Sequence, residues 1–480
     1  MERSLTDTLQ DKFTLFSQEA QQAVIYLPET VKTLVQNLTH VDKDIAAALC
    51  LESADNQRLA FTAIEGRLEE LVNELLWNHD PTIIQLKPLI MECREVLSLY
   101  KKQIAYTIEL QQEINNPYIT GIPLDETQET FVGRYEFSAK LEHLLVSPRC
   151  PPLLLYGQRR MGKTSLLYNL SRLLPNTIVP LFIDLQGPVG LANDHVSFLY
   201  NLSRAMCTSA KQRRDVLLPK LTREQLQVDP FASFDEWLND IEQQLAQTVI
   251  LLILDEFINL EQAFDSGRLN EQSILSLLRY QIQHRSRLKV LLAGSHTFEE
   301  LQRWSNYLVN VHTLHISYLS NAETQQLVEH PTKDFSLRYT PQASQRVLQL
   351  TRGHPALVQL LCAEIVELKN RQVPAVRRLA QIEDVEAAVP VALKGVKFYF
   401  NDIVRNQIGE AARRLLRYLA GQGEYHVIKL AQWHHHAKSM GQSSTEFKRA
   451  VAQLLRRELI EHVDDGYRFQ VELIRYWFVD

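Results

Sequence analysis

The spacing of apolar residues changes along the chain, and these changes divide it into regions. From residue 1 to about residue 116, apolar side chains recur every three or four positions, as on one face of an α-helix. The clearest set ends this region: Leu86, Ile90, Cys93, Leu97, Tyr100, Ile104 and Ile108. We expect three or four helices here, broken at Pro28 and at residues 79–81, with a long amphipathic helix at the end.

A different pattern begins after residues 116–123, where two prolines and a glycine are typical of an extended linker. Short apolar runs then alternate with segments of helical length. The predicted strands are Leu153 to Tyr156, Ile178 to Leu185, Val249 to Leu254, Lys289 to Ala293 and His312 to Ile316. This alternation is typical of βαβ units, and it predicts an α/β core with a parallel sheet.

Beyond Ser320 the pattern is helical again. Ser320 and Glu323 form a capping-box sequence, and Thr340 is followed by a proline suited to the first helical position. From about residue 410, three helical stretches precede a strand–turn–strand pattern around Gly466, which predicts a winged helix. We therefore expect a multidomain chain of four segments: N-terminal helices (1–115), an α/β core (116–319), a helical lid (320–400) and a winged helix (401–480).

Length and composition narrow the class of protein. The chain has 480 residues, with 51 Lys and Arg against 57 Asp and Glu. Its apolar runs, such as Val249 to Leu254, are far shorter than the ~20 residues that a bilayer span needs. Met1 to Gln10 contains acidic and polar residues where a signal peptide would have an apolar core. We expect a cytoplasmic protein without a membrane partner.

Cysteine usage and charge exclude further classes. The five cysteines are scattered singly, so we expect reduced, mostly buried thiols and no disulfide or zinc framework. The histidines at 434–436 are consecutive in a predicted helix, and they point in directions too different to share one metal ion. Residues 1–120 contain 10 basic and 18 acidic side chains, a poor surface for binding phosphate backbones.

One motif carries specific chemistry. The first predicted strand is followed by a complete GxxxxGK[ST] sequence at the start of a predicted helix. Its residues are Gly157, Gln158, Arg159, Arg160, Met161, Gly162, Lys163, Thr164 and Ser165. In this context the backbone N–H groups cradle phosphate oxygens, Lys163 reaches the β- and γ-phosphates, and the Thr164 hydroxyl binds Mg²⁺. The sequence therefore predicts a P-loop that binds ATP or ADP with Mg²⁺.

A second motif lies about ninety residues later, where the apolar run from Val249 ends in Asp255 and Glu256. A carboxylate at the carboxyl end of a buried parallel strand is well placed to bind Mg²⁺, a role that we assign to Asp255. We expect Glu256 to orient and polarise the attacking water. Ser295, after a later strand, is a candidate sensor of the γ-phosphate, and the alternative is that it caps a helix from Thr297.

Two further motifs indicate a family. Phe131-Val132-Gly133-Arg134 lies upstream of the P-loop, and Gly353-His354-Pro355 lies between two predicted helices of the lid. With the two nucleotide motifs, they resemble the STAND class of signal-transduction P-loop ATPases, which are relatives of AAA+ proteins. The similarity is to the prokaryotic archaeal-type ATPase group, and it covers about residues 116–480.

The resemblance implies a strand order in which the strand before Asp255 is not adjacent to the strand before the P-loop. It also implies that the lid and the winged helix fold over the nucleotide. In such proteins the upstream box and the lid proline lie around the adenine. Here these residues are Val132, Gly133, Arg134 and Pro355.

Two functional hypotheses follow. The first is a slowly hydrolysing ATP-dependent switch whose N-terminal helices assemble into a homo-oligomer or recruit a protein partner. The second is a DNA-binding AAA+-like regulator or transposition-type ATPase that uses the winged helix. We favour the first because no sensor arginine follows Gly353 and because residues 401–480 contain only 12 basic against 10 acidic side chains. An arginine finger remains open among Arg279, Arg285 and Arg287.

Overall fold

The fold is taken from a computed structural model of the chain. It describes residues 29–51, 54–76, 88, 90–92, 94–104, 112–147, 149–245, 247–295, 301–305, 307, 310–395, 408–464 and 466–479. The chain divides into two compact units. The first comprises Met1–Glu113 and Gln372–Arg378, and the second comprises Ile114–Arg371 and Leu379–Asp480. The four-segment division above is finer than this one and stays a prediction.

The first unit is helical where it is described. Helix α1 spans Glu29–Leu49, helix α2 spans Ala54–Leu76, and residues 94–104 are also helical. Their apolar faces share a core that contains Phe61, Leu68 and Leu97. Of the amphipathic set predicted for the last helix, Ile90, Leu97, Tyr100 and Ile104 are buried. Leu86, Cys93 and Ile108 lie outside the described residues.

A five-stranded parallel sheet forms the centre of the second unit. Its strands are β1 (Leu153–Tyr156), β2 (Ile178–Asp184), β3 (Val249–Asp255), β4 (Leu288–Gly294) and β5 (His312–His315). Their order in the sheet is β2-β3-β4-β1-β5. All five were predicted to within one residue at each end. Strand β4 separates β1 from β3, so the P-loop strand and the Asp255 strand are not neighbours, as expected.

Helices pack on both faces of this sheet. They are α3 (Tyr135–Val146), α4 (Lys163–Leu173), α5 (His195–Arg214), α6 (Arg223–Val228), α7 (Pro230–Gln244), α8 (Asn259–Asp265), α9 (Glu271–His284) and α10 (Gln302–Ser305). Several begin at side chains that accept the first backbone N–H groups. Asp194 caps α5, and Asp229 caps α7, which has proline as its first residue. Two apolar clusters, which contain Leu252 and Leu251 respectively, fill the space between the sheet and its helices.

Helices predominate again after β5. They are α11 (Asn321–Glu329), α12 (Pro341–Thr351), α13 (Pro355–Asn370) and α15 (Ile382–Gly395), with a short strand pair β6 (Arg338–Tyr339) and β7 (Leu379–Ala380). The short helix α14 (Pro374–Arg377) belongs to the first unit. The predicted capping box of Ser320 and Glu323 is present at the start of α11, and Thr340 caps α12.

The C-terminal residues form three helices, a small sheet and a last helix. They are α16 (Glu410–Ala420), β8 (Ile428–Lys429), α17 (Leu430–Ser439), α18 (Ser444–Arg456), β9 (Ile460–Val463), β10 (Gly466–Phe469) and α19 (Glu472–Val479). The sheet is antiparallel with the order β8-β10-β9. We call residues 408–479 the C-terminal module. It shares one apolar core with α11, α12, α13 and α15.

The structure bears on two expectations from composition, which concern membrane-spanning helices and the burial of the cysteines. Within the described residues, no helix is long and apolar enough to cross a bilayer. The expectation of mostly buried thiols is wrong for the four cysteines described: only Cys362 is buried, whereas Cys150 and Cys207 are half-buried and Cys50 is exposed. Cys50 is exposed because it follows the last turn of α1, beyond the apolar face of that helix.

Candidate nucleotide-binding site

The P-loop joins β1 to α4 in a tight turn closed by its own lysine. Nζ of Lys163 donates hydrogen bonds to the carbonyl oxygens of Gly157 and Gln158, both at 2.8 Å. Glycine is required at position 157 because a Cβ there would lie 2.3 Å from the carbonyl oxygen of Ile316. The loop is therefore shaped around the ammonium group that would meet a phosphate, next to the N-terminus of α4.

Burial and nearby carboxylates shift the pKa of Lys163 in opposite directions. Its side chain is buried, and burial lowers the pKa of the ammonium group because it removes solvent from the charge. The carboxylates of Glu256 and Asp255 oppose this change, while Arg159 adds to it. An anionic phosphate would supply further negative charge beside this amine.

Thr164 and Asp255 meet directly, as the two motifs predict. Oγ1 of Thr164 donates to Oδ2 of Asp255 at 2.8 Å, and the backbone N–H of Glu256 donates to the other carboxylate oxygen at 3.1 Å. Burial raises the pKa of Asp255 to about 6, because the Thr164 hydrogen bond only partly offsets desolvation. A hydroxyl and a carboxylate side by side fit Mg²⁺, which binds one or two protein oxygens together with phosphate and water.

Glu256 is held in an unusual backbone conformation next to this pair. Its φ of +50° lies in the left-handed region, which costs free energy for a residue with a side chain. The carbonyl oxygen of Glu256 accepts hydrogen bonds from the backbone N–H and the side-chain Nδ2 of Asn259. These bonds fix the turn, and Glu256 lines the cavity described next.

A cavity of about 600 Å³ lies over the P-loop. This volume is within the usual range for small-molecule sites. Most of its lining comes from four parts of the second unit: the linker at 119–124, the segment 130–134, the P-loop and the start of α13. Its lining includes the predicted residues Val132, Arg134, Arg159, Arg160, Met161, Gly162, Lys163, Thr164, Ser165, Glu256 and Pro355.

Hydrogen bonds from Arg134 connect residues 131–134 to the P-loop and to the segment that follows β5. Its guanidinium donates to the carbonyl oxygens of Met161 at 3.2 Å and Ser317 at 2.8 Å. Its backbone N–H donates to Oε1 of Glu323 at 2.7 Å, and the other carboxylate oxygen accepts from the backbone N–H of Ser320. Burial lowers the pKa of Arg134, and Glu323 opposes this shift. Arg134 therefore positions the cavity wall.

Other predicted site residues lie near the cavity but are not part of its described lining. Gly157 and Gln158 supply the carbonyl oxygens that accept from Lys163. Gly133 packs against Glu323, since a Cβ at this position would lie 2.0 Å from Oε1. Ser295 is half-buried after β4, at the same sheet edge as the P-loop, and its sensor role stays a prediction. Thr297, the start of the helix that it would cap in the alternative interpretation, lies outside the described residues.

The three candidate arginine fingers differ in their surroundings. The guanidinium of Arg285 is buried and paired with Asp235 and Glu242. Arg287 donates to the carbonyl oxygens of Leu245 and Glu242. Arg279 is exposed on α9, with no side-chain hydrogen bond or ion pair in the described part of the chain. Arg285 and Arg287 are thus held by contacts within the chain.

The structure adds cavity residues that the sequence did not suggest. Thr130 and Gln359 are buried residues of the lining, and Gln186 also lines the cavity. Oε1 of Gln359 accepts a hydrogen bond at 2.9 Å from the backbone N–H of Ile119 in the linker. The linker was interpreted as a boundary, but it forms a wall of the site. No local pattern marks this role because Ile119 and Gln359 are 240 residues apart.

Comparison with known proteins agrees with this geometry. Residues 148–302 match the family described as AAA domain, and they include the P-loop, Asp255 and Glu256. No curated protein matches the sequence. These residues form a P-loop ATPase domain of the AAA+-related kind, which supports nucleotide binding.

Solved structures resemble the fold. The Walker-type ATPase of Pyrococcus abyssi has 16% identity and a TM-score of 0.53, with 75% of this chain and 99% of that chain covered. The ORC2 protein of Aeropyrum pernix has 13% identity and a TM-score of 0.37, with coverage of 77% and 97%. RuvB of Thermotoga maritima, a Holliday junction branch migration motor, has 14% identity and a TM-score of 0.34, with coverage of 72% and 94%. Of these three, only the first is similar enough to support the fold.

Proposed function

We propose that this protein is an ATP-dependent molecular switch of the STAND type, with slow hydrolysis that resets it. ATP or ADP with Mg²⁺ occupies the cavity over the P-loop, and the state of the γ-phosphate favours one of two arrangements of the second unit. The N-terminal helices transmit that state, either by forming a homo-oligomer or by recruiting a protein partner.

The observation that supports a switch is the set of contacts made by residues 315–319, which we call the connector. This segment begins with His315, the last residue of β5, and leads to the helical region that begins at α11. On one side, the ring of His315 stacks on Tyr156 at the end of β1, with centroids 4.9 Å apart. Arg134 donates to two carbonyl oxygens of the connector, at Ser317 and Tyr318. The connector is thus in contact with the residues that shape the P-loop.

On its other side, the connector contacts the C-terminal module. Nε2 of His315 lies 2.8 Å from Oε1 of Glu458, and the Tyr318 hydroxyl donates to the Glu458 carbonyl oxygen at 3.3 Å. Glu458 lies in the short turn between α18 and β9. The connector therefore gives a movement at the P-loop one route to the C-terminal module, beside the apolar core that the module shares with α11, α12, α13 and α15.

The proposed chemistry divides among four residues. Lys163 binds the β- and γ-phosphates, and its loop carbonyl partners are exchanged for phosphate oxygens. Thr164 and Asp255 hold Mg²⁺, which neutralises charge that develops on the phosphates. Glu256 orients the attacking water and accepts its proton. Because Glu256 and Lys163 both line the cavity, the base and the phosphate-binding group face the same space.

The N-terminal helices carry apolar side chains that suit an interaction. Leu59 is 64% exposed, Leu99 is 50% exposed and Met91 is 46% exposed. Exposed apolar side chains on otherwise amphipathic helices favour association with another protein surface. We propose these helices as the output of the switch because Leu59, Met91 and Leu99 belong to a unit that has its own core.

The test is the solution mass by light scattering, with ADP and then with ATP on the Glu256→Gln variant, which binds ATP but does not hydrolyse it. We expect a defined oligomer with ATP only. The matched control is Glu236→Gln, a change of an exposed carboxylate on α7, which should keep the parent's hydrolysis rate. A mass that is identical in both nucleotide states would contradict assembly as the output.

The second candidate function is DNA binding by the C-terminal module, interpreted as a winged helix. One observation favours it: Lys448, Arg449 and Arg456 are exposed on α18, the helix before the β9–β10 hairpin. Electrophoretic mobility shifts at ~50 and ~200 mM salt test it, because binding through phosphate contacts weakens steeply with salt. Absence of a shift at low salt would exclude this function.

A further inference from the structure

One apolar core extends from the helices after β5 into the C-terminal module. Leu361 and Ile365 of α13 belong to the same buried cluster as Leu416 of α16 and Leu473 of α19. Helices α12 and α15 both pack on α19. Separating the module from these helices would expose the apolar surface of this core to water, which is unfavourable.

A half-buried arginine adds polar contacts between the same helices and the module. The guanidinium of Arg346 on α12 donates to both carboxylate oxygens of Glu424 in the module, at 2.9 and 3.0 Å, and to Oε1 of Glu386 on α15. The hydroxyl of Tyr476 on α19 donates to Glu424 as well. The Arg346 side chain is only 12% exposed, and a guanidinium that pairs with both oxygens of a carboxylate fixes their relative orientation.

The linker changes its partners within a few residues. The Tyr118 hydroxyl donates to the carbonyl oxygen of Val328 on α11 at 2.9 Å. By contrast, the backbone N–H of Leu124 donates to Oγ of Ser165 on α4 at 3.0 Å. The chain therefore passes from the helices after β5 to the helices of the sheet at residues 120–123.

These contacts define two bodies within the second unit. We call the first the helical body, and its residues are 114–119, 320–371, 379–395 and 408–479. The second is the sheet body, which consists of the described residues between 124 and 314. The chain passes between the two bodies at residues 120–123 and in the connector. Gly121 has a φ of +88° and open space around it. Both passages contribute to the lining of the cavity over the P-loop, the connector through Leu319.

Polar contacts join the two bodies. The backbone N–H of Arg134 donates to Oε1 of Glu323, and the backbone N–H of Lys333 donates to Oε2 of Glu129 at 3.1 Å. Val132 adds an apolar contact with the core of the helical body. Partly exposed hydrogen bonds can be exchanged for bonds to water at small cost. A change in the angle between the bodies therefore costs less free energy than release of the C-terminal module from the helical body.

We propose that the nucleotide moves the helical body as one piece against the sheet body, with residues 120–123 and the connector as the hinge. This inference rests on the proposed function, because the γ-phosphate supplies the difference between the two positions. The C-terminal module keeps its contacts with α12 and α15 in both positions. The contact of His315 with Glu458, which crosses the hinge, differs between them.

The test uses chemical cross-links between introduced cysteines. The background is Glu256→Gln with the chain's own cysteines changed to serine, except the buried Cys362. A short bismaleimide joins Arg346→Cys to Glu424→Cys within the helical body. In a second chain it joins His315→Cys to Glu458→Cys across the hinge. Each chain before cross-linking is its own control.

Light scattering then gives the solution mass of each chain with ADP and with ATP. The cross-link within the helical body should leave the mass difference between the two nucleotides at the value of its control. The cross-link across the hinge should abolish that difference. If the first cross-link abolishes the difference, the module leaves the helices and the proposal is wrong. A second cross-link that leaves the difference intact would also overturn it, because the bodies then do not move apart.

Hydrogen exchange separates failure of the hinge from failure of the proposed function. Between ADP and ATP on Glu256→Gln, we expect altered protection of the backbone N–H groups at 120–123 and in the connector, and unchanged protection in α12 and α19. This pattern in a chain whose mass does not change would exclude assembly as the output but support the hinge. Altered protection in α19, or unchanged protection in both hinge segments, would overturn the hinge. A chain that binds neither nucleotide would exclude both proposals.

Discussion

Nε2 of His315 lies 2.8 Å from Oε1 of Glu458, which links the end of the central sheet to the C-terminal module. The imidazole ring of His315 also stacks on the ring of Tyr156, the residue before Gly157 of the P-loop. The contact therefore stands one residue from the loop that would bind phosphate. This position makes it the first place to look for transmission of the nucleotide state.

Our first prediction concerns this contact. Both side chains are partly exposed, so a double-mutant cycle of His315→Ala and Glu458→Gln should give a coupling of about 0.2–1 kcal/mol in the free energy of unfolding. We expect the coupling with ADP bound to differ from that of the Glu256→Gln background with ATP bound. Equal coupling in the two nucleotide states would show that the switch does not use this pair.

The second prediction concerns Gly133, where φ is +71° and a Cβ would lie 2.0 Å from Oε1 of Glu323. Gly133→Ala must displace the carboxylate that accepts from the backbone N–H of Arg134. Gly267→Ala is the matched control, because Gly267 has a φ of +69° and open space around it. Both variants carry the left-handed cost, so chemical denaturation should find Gly133→Ala less stable than Gly267→Ala by about 1–3 kcal/mol. Equal losses of stability in the two variants would show that the Glu323 side chain moves aside without cost.

The third prediction is a pH dependence that arises at His354. This residue is buried next to Pro355, and burial lowers its pKa to about 3, with a smaller contribution from Arg160 in the P-loop. Below about pH 6.5 His354 therefore binds a proton in the unfolded chain but not in the folded chain. Its contribution to the free energy of unfolding is complete above that pH and is lost as the pH falls towards 3.

The measurement compares the parent with His354→Gln, which does not titrate. Between pH 7.5 and pH 5, the parent should lose about 2 kcal/mol more apparent unfolding free energy than the variant. Urea titrations at the two pH values measure this difference. Parallel losses in the two proteins would mean that His354 is protonated in the folded state or that other groups dominate the acid response.

Whether a feature of the structure could be predicted from the sequence depends on how far apart along the chain the residues that form it lie. The five strands were predicted because each is a short apolar run with its own local boundaries. The contact of Thr164 with Asp255 followed from two motifs of known chemistry. By contrast, the bond between Arg134 and Glu323 joins residues 189 positions apart, and neither has a local pattern that names the other. The apolar core that α13 shares with α19 depends on packing that only the folded chain defines.

The fourth prediction follows from the proposed oligomer. Arg279 is the candidate finger that is exposed, and in an assembly it would reach the site of a neighbouring copy. Arg279→Ala should lower hydrolysis at least about tenfold, since arginine fingers stabilise charge on the transferred phosphate, while ATP affinity stays at the parent's value. Arg204→Ala, which removes an exposed arginine from α5, is the control and should hydrolyse ATP normally. A normal hydrolysis rate in Arg279→Ala would show that Arg279 is not the arginine finger.

The most direct test of the account is the ATP affinity of Lys163→Ala, measured by calorimetry against the parent and the control Lys140→Ala, which alters an exposed lysine on α3. Thermal unfolding without nucleotide would confirm that both variants fold. If the cavity over the P-loop is the nucleotide site, Lys163→Ala loses ATP affinity by about a hundredfold or more, and Lys140→Ala binds like the parent. An unchanged affinity in folded Lys163→Ala would contradict the site, and with it the proposed switch.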